Sequence, residues 1–136
     1  MKSQEKIILI IAHLAMLLAR TGFGLIIPLI IYLNSEGLGK KLVRKSSLNI
    51  LKFQAKITFT FLGLQFLGLI YQIVINFIQV PFLAKLAFSP YNPLAIIGLA
   101  SQIILIAGII LALIGALVTA KGNQFRYPSL WISRGK

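Results

Sequence analysis

The stretch 94–120 reads LAIIGLASQIILIAGIILALIGALVTA and carries no charged side chain. About 20 apolar residues are enough for a helix to cross the ~30 Å hydrocarbon core of a bilayer. This run exceeds that length. Upstream, 55–80 reads AKITFTFLGLQFLGLIYQIVINFIQV and stops at Pro81. It is a second run of membrane length. Between the two lies a short loop, 81–93, with Pro81, Pro90, Pro93 and a single charge, Lys85.

The composition of the whole chain agrees. Of 136 residues 58% are hydrophobic and 12% are charged, too few to cover a water-soluble surface. Disorder requires low hydrophobicity and is excluded by the same figures. The chain reads as one membrane domain, 1–136. Fourteen Lys and Arg face only two acids, Glu5 and Glu36, for a net charge of +12. In a soluble protein that balance suggests nucleic acid. Here the cations flank apolar runs and mark cytoplasmic ends, so no nucleic-acid partner is expected. There is no cysteine, and the sole histidine is His13. Neither a thiolate nor a carboxylate-rich metal site can be assembled, and no metal or cofactor is expected. A Gly-rich phosphate loop, a Ser-His-Asp set and a carboxylate pair are all missing, so no catalytic residue is assigned and the chain reads as a non-enzyme.

The first apolar stretch, from Ile7 to Leu33, is broken by Arg20-Thr21-Gly22-Phe23-Gly24 and by Pro28. It is either one long kinked helix or a hairpin of two short helices, about 4–20 and 23–36. Lys2 and Lys6 ahead of Ile7 fit the start of a signal peptide. The nearest cleavage site would end at Ala19 with Leu17 three residues from the cut, which is too large, so a retained helix is expected. Charge separates three spans from four. Three would place Lys2, Lys6 and Lys85 across the membrane. Four would gather the N-terminus, a basic loop 37–54 and a basic tail 121–136 on one face, leaving Arg20 and Lys85 opposite. The expected fold is therefore all-α, with four hydrophobic segments at about 4–20, 23–36, 55–80 and 94–120. Both termini are expected in the cytoplasm. In the loop, Lys40, Lys41, Arg44 and Lys45 suit the bilayer's anionic lipid headgroups. The stretch 40–56 reads as a basic surface helix running into the membrane. Tyr127 and Trp131 suit the interface, which lays the tail along the membrane surface.

Polar residues inside the membrane are costly, so their spacing is informative. Thr58, Gln65, Gln72 and Gln79 lie seven apart, with Gln54 and Asn76 near the same face. This stripe is expected to face other helices or a water-filled path. Lys6, His13 and Arg20 are also seven apart. The basic ends can reach headgroups, which leaves His13 as a neutral residue bonded to a neighbouring helix. On the last segment, Gly108, Ala112, Ala116 and Ala120 recur every four residues, with Gly115 beside them. Small residues let helix backbones approach, so this face is expected to make the tightest contact.

Several short stretches carry a resemblance. They are Ala12-His13-Leu14, then Ile26-Ile27-Pro28-Leu29-Ile30-Ile31-Tyr32-Leu33, then Val43-Arg44 followed by Phe53-Gln54. Ala120-Lys121-Gly122 and Arg126-Tyr127-Pro128 complete the series. In order and spacing the chain resembles a widespread bacterial family of small membrane proteins with a domain of unassigned function. That family is similar to the twenty-kilodalton component of the chloroplast inner-envelope protein translocon, a four-helix membrane protein. The resemblance implies four helices with both termini on one side, and no established activity. It suggests an accessory factor or subunit of a membrane complex, linked to protein translocation, with a protein partner or further copies of itself. The expected location is a bacterial inner membrane, or an organelle membrane of bacterial origin. Two other readings stand beside it: a small channel or transporter along the Gln-rich stripe, and a toxin-immunity membrane protein.

Overall fold

A computed structural model describes residues 1–35, 41–78, 82, 85, 89 and 91–128, and every regular element among them is helical. Helix α1 is Ser3–Leu14. The Lys2 backbone N–H donates to Glu5 Oε2 at 2.9 Å, which fastens its start, and the Glu5 charge favours that end of the helix dipole. The chain then tightens into a 3-10 turn, Ala15–Thr21, and reverses at Gly22, whose φ is +78°. A short 3-10 turn, Phe23–Leu25, leads into α2, Ile26–Asn34. A Cβ at Gly24 would stand 2.5 Å from the Ala15 carbonyl oxygen, so only glycine allows this close return. Pro28 sits in the first turn of α2, where its missing N–H costs no helical bond. The first apolar stretch is thus a hairpin.

Helix α3, Lys41–Ile73, has 33 residues and is ~50 Å long. A π turn, Val74–Ile78, continues it. It starts where the basic surface helix expected over 40–56 starts and runs without a break into the segment expected from 55, so the stretch marked as a basic loop, 37–54, is helical from Lys41 onward. The physical reason is that no Gly or Pro occurs between Lys41 and Leu62 to stop it. Lys40 and the rest of 36–40 lie outside the described residues. Helix α4 is Pro93–Ala120. Asn92 Oδ1 caps it, accepting from the Leu94 N–H at 3.0 Å. At its end Gly122 takes φ +91°, while the Gly122 and Asn123 N–H groups donate to Thr119 O and Val118 O. This closes the last turn and sends the tail back toward the bundle.

Helix α3 packs against α4 and α2, while α1 lies against α4 and α3. The core gathers Leu9, Ala12 and Met16 from the first segment, Ile50, Phe53, Ile57 and Phe61 from α3, and Leu105 and Ala112 from α4. Outside that core much of the surface of the long helices is apolar. Phe59, Phe66, Ile70 and Phe77 on α3 are exposed, as are Leu99, Ile103, Ile106 and Leu117 on α4. Two helices, Lys41–Phe77 and Pro93–Ala120, are long and apolar enough to cross a membrane, yet only 22% and 33% of their most apolar stretches are buried in the protein. A core helix of a soluble protein hides its apolar side in the protein; these helices turn theirs outward, as lipid requires. Helices α1 and α2, at 12 and 9 residues, reach only ~18 and ~14 Å.

Candidate functional site

The turn at Gly122 sets up the most connected place in the molecule. A Cβ at Gly122 would stand 3.2 Å from Lys6 Nζ, so the start of α1 lies beside the end of α4. The Lys6 charge there complements the C-terminal end of the α4 dipole. Beyond Gly122 the tail tucks Phe125 and Tyr127 under α1. The Tyr127 ring stacks on Phe53, centroids 3.9 Å apart and planes 11° apart. Phe125 meets the Tyr127 ring edge-on at 5.0 Å and the His13 ring edge-on at 6.1 Å.

His13 is the node, 2% exposed. Its Nδ1 lies 2.5 Å from the Tyr127 hydroxyl and its Nε2 lies 3.2 Å from Thr119 Oγ1. A neutral imidazole has one N–H and one acceptor nitrogen, and each hydroxyl can take either role, so both nitrogens are satisfied in either tautomer. Gly115 makes room for the ring, since a Cβ there would stand 2.7 Å from Nδ1 and 2.9 Å from Phe125. One residue away, Gln54 Nε2 donates to the Ala12 carbonyl at 2.8 Å. Ala12 stands just before the switch from α to 3-10 winding, where helical carbonyls lose their regular partners. Gln54 Oε1 and Thr58 Oγ1 are buried without a hydrogen-bond partner among the described residues. Burial pushes the Tyr127 phenol well above its ordinary value, so it stays protonated. The cluster therefore joins α1, α3, α4 and the tail. Around His13 its chemistry is that of a hydrogen-bonded fastening.

Of the residues singled out in the sequence, Phe53, Gln54 and Tyr127 meet here. Arg126 and Pro128 are exposed beside them. Tyr127 is thus part of the core rather than an interfacial anchor, because the Gly122 turn folds it inward; Trp131 lies outside the described residues. The polar stripe divides. Thr58 is buried, and Gln65 Nε2 donates to Ser101 Oγ at 2.9 Å, while Gln72 and Asn76 are exposed on the outer surface. A seven-residue repeat drifts around a straight helix by ~20° per heptad, and the π turn at Val74–Ile78 adds a further shift. Gln79 lies outside the described residues. Gly108 meets the 3-10 turn Ala15–Thr21 and α3, since a Cβ there would stand 2.6 Å from Met16 Cε and 3.0 Å from Ile57 Cγ2. Ala112 and Ala116 are buried on the same side. Lys41 and Lys45 are exposed, but the Arg44 guanidinium sits 5.2 Å over the Tyr32 ring, packed on α2 instead of turned wholly to lipid.

Sequence reading missed Thr119 and Phe125. A signal for this contact was present. Ser101, Gly108, Gly115 and Gly122 lie seven apart on α4 and its cap, and Lys6 and His13 lie seven apart on α1. The two series run antiparallel, Lys6 against Gly122 and His13 against Gly115. At the next step the 3-10 winding brings Met16, not Arg20, to Gly108.

Apolar outer faces on α3 and α4, fastened by a buried polar cluster, define a helical membrane protein. Residues 4–133 match the magnetosome magnetite crystal formation protein family, and the chain belongs to that family. The match takes in all four helices but for Ser3, and nearly all of the tail. No curated protein and no solved structure is similar to the chain. The expectation of a small bacterial membrane-protein family stands, whereas the likeness to the chloroplast translocon component, and with it the link to protein translocation, finds no support.

Proposed function

We propose that this chain is a multi-pass component of the membrane in which magnetite crystals form. It acts there as a non-enzymatic accessory factor, through packing with a protein partner or further copies of itself. The family supplies the process. The His13 fastening carries the accessory reading, because both nitrogens of the chain's only imidazole are taken up by structural partners. With two carboxylates and no cysteine, the chain has little to offer iron ions directly, so its influence runs through the membrane and its partners. Four segments with both termini and the basic half of α3 in the cytoplasm fit this reading. The charge distribution supports that topology, and so does the approach of Lys6 to Gly122. Gln72 and Asn76 on the outer surface, and Gln65 closed on Ser101, favour packing over a conducting path.

The test is complementation. A magnetite-forming bacterium lacking its own member of this family receives the chain, and crystal size is measured by electron microscopy. Restored crystals are expected, with a stoichiometric partner in a mild-detergent pull-down. Crystals that stay as in the deletion strain, although the protein sits in the membrane, would refute the reading.

A further inference from the structure

The tail and the N-terminal half of α3 enclose a cleft of about 360 Å³. Its polar wall is Lys45, Ser46, Asn49 and Lys52 from α3, with Gln124 and Arg126 from the tail. Residues 45, 49 and 52 share one face of the helix by their spacing. Among the described residues no Asp or Glu lines the cleft. Glu5 is engaged at the start of α1, and Glu36 lies outside the described residues. Lys45, Lys52 and Arg126 are exposed and make no ion pair among the described residues. Leu48 and Phe125 add an apolar flank.

Position along α3 indicates what reaches this cleft. Lys52 precedes Phe59, an outward aromatic 68% exposed, by seven residues, or ~10 Å along the axis. Each headgroup layer of a bilayer is roughly 5–8 Å deep. The Lys52 end of the cleft therefore lies at the outer edge of the headgroup layer, where cations meet phosphate, and the Lys45 end, ~21 Å from Phe59, opens toward water. Lys41 and Lys56 lie on the same helix face outside the cleft and supply only general attraction. The cleft differs from them in having an Arg fork opposite two lysines, with amide and hydroxyl donors between.

We propose that this cleft is a binding site for the phosphate group of an anionic ester, with Lys45, Lys52 and Arg126 balancing its charge. Ser46, Asn49 and Gln124 donate hydrogen bonds to its oxygens, and Leu48 and Phe125 cover the carbons next to the phosphate. The proposal rests on the membrane reading above. Two sources carry this chemistry: a phospholipid headgroup and a soluble phosphate ester.

The experiment uses the full chain purified in detergent. In one arm, native mass spectrometry follows retention from an equimolar mixture of phosphatidylglycerol and phosphatidylcholine. In the other, calorimetry follows titration with glycerol 3-phosphate. The cleft variant is K45Q/K52Q/R126Q, and the control of equal charge is K2Q/K41Q/K56Q. A preference for phosphatidylglycerol of fivefold or more is expected, falling to near unity in the cleft variant and changing less than twofold in the control. Cleft-dependent heat with glycerol 3-phosphate would instead assign a soluble ester to the same site. Binding in neither arm, or equal losses in both variants, would overturn the proposal. Carbonate-resistant sedimentation with vesicles checks the membrane reading separately. A chain that stays in the membrane yet shows no cleft-dependent binding removes this site and leaves that reading intact.

Discussion

His13 illustrates how one side chain can hold a small membrane protein together. It is buried, and both its nitrogens have hydroxyl partners, from Thr119 on α4 and Tyr127 in the tail. Hydrogen bonds between membrane helices contribute ~0.6–2 kcal/mol each. Tyr127→Phe keeps the stack on Phe53 and removes one such bond, so a loss of ~0.5–1.5 kcal/mol is expected in thermal unfolding in detergent. His13→Ala removes both bonds and leaves a cavity, for a larger loss of ~2–4 kcal/mol. Equal losses in the two variants would show that the hydroxyl pairing is not what fastens the tail. Tyr127 also brings an alkaline sensitivity. Its phenol pKa is raised by burial, so the folded state holds the proton more tightly than the unfolded chain does. The associated stability is complete below the unfolded value near 10 and declines as pH rises above it. Unfolding temperature measured from pH 9 to 11 should fall more steeply for the natural chain than for Tyr127→Phe.

At the scale of elements, the α1–α4 contact depends on the missing side chains of α4. A Cβ at Gly115 would press on the His13 ring and on Phe125. Gly115→Ala is expected to cost ~1–3 kcal/mol by forcing the helices apart. Gly63 and Gly98 have open space around the Cβ position. Alanine there should be neutral or stabilise by up to ~1 kcal/mol through helix propensity. Thermal unfolding of the three variants checks the contrast, and matching behaviour at all three positions would contradict the packing described. The small-residue face was legible in the sequence because spacing four on a helix needs no tertiary information. The basic helix over 40–56 that runs into the membrane was legible too, since nothing between Lys41 and Leu62 breaks a helix; the π turn at Val74–Ile78 was not.

At the scale of the molecule, α1 begins where α4 ends, and the tail returns to the basic half of α3. The proposed topology therefore makes a labelling prediction. The chain has no cysteine, so single cysteines report cleanly. Ser3→Cys, Ser46→Cys and Asn123→Cys should react with an impermeant maleimide from the cytoplasmic side, and Thr21→Cys and Tyr91→Cys from the opposite side. Labelling of Ser3→Cys and Asn123→Cys from different sides would refute four segments.

That this is a helical membrane protein follows from the residues alone, because uncharged apolar length has only one solvent that suits it. A break near Gly22 and most of the close-packing face of α4 were also legible from local spacing; that the break is a full reversal, and that Ala120 stands outside the packed face, came from the structure. Which polar residues would meet was decided only by the tertiary structure. Phe53, Gln54, His13, Thr119 and Tyr127 are spread over more than a hundred residues. They come together because Gly122 reverses the tail and the glycines of α4 let α1 approach. The same reversal moved Tyr127 from an expected surface anchor into the core and left Arg126 at the edge of a cleft. Period and composition report which face of a helix is polar. Which polar partner fills that face depends on how the helices are brought against one another.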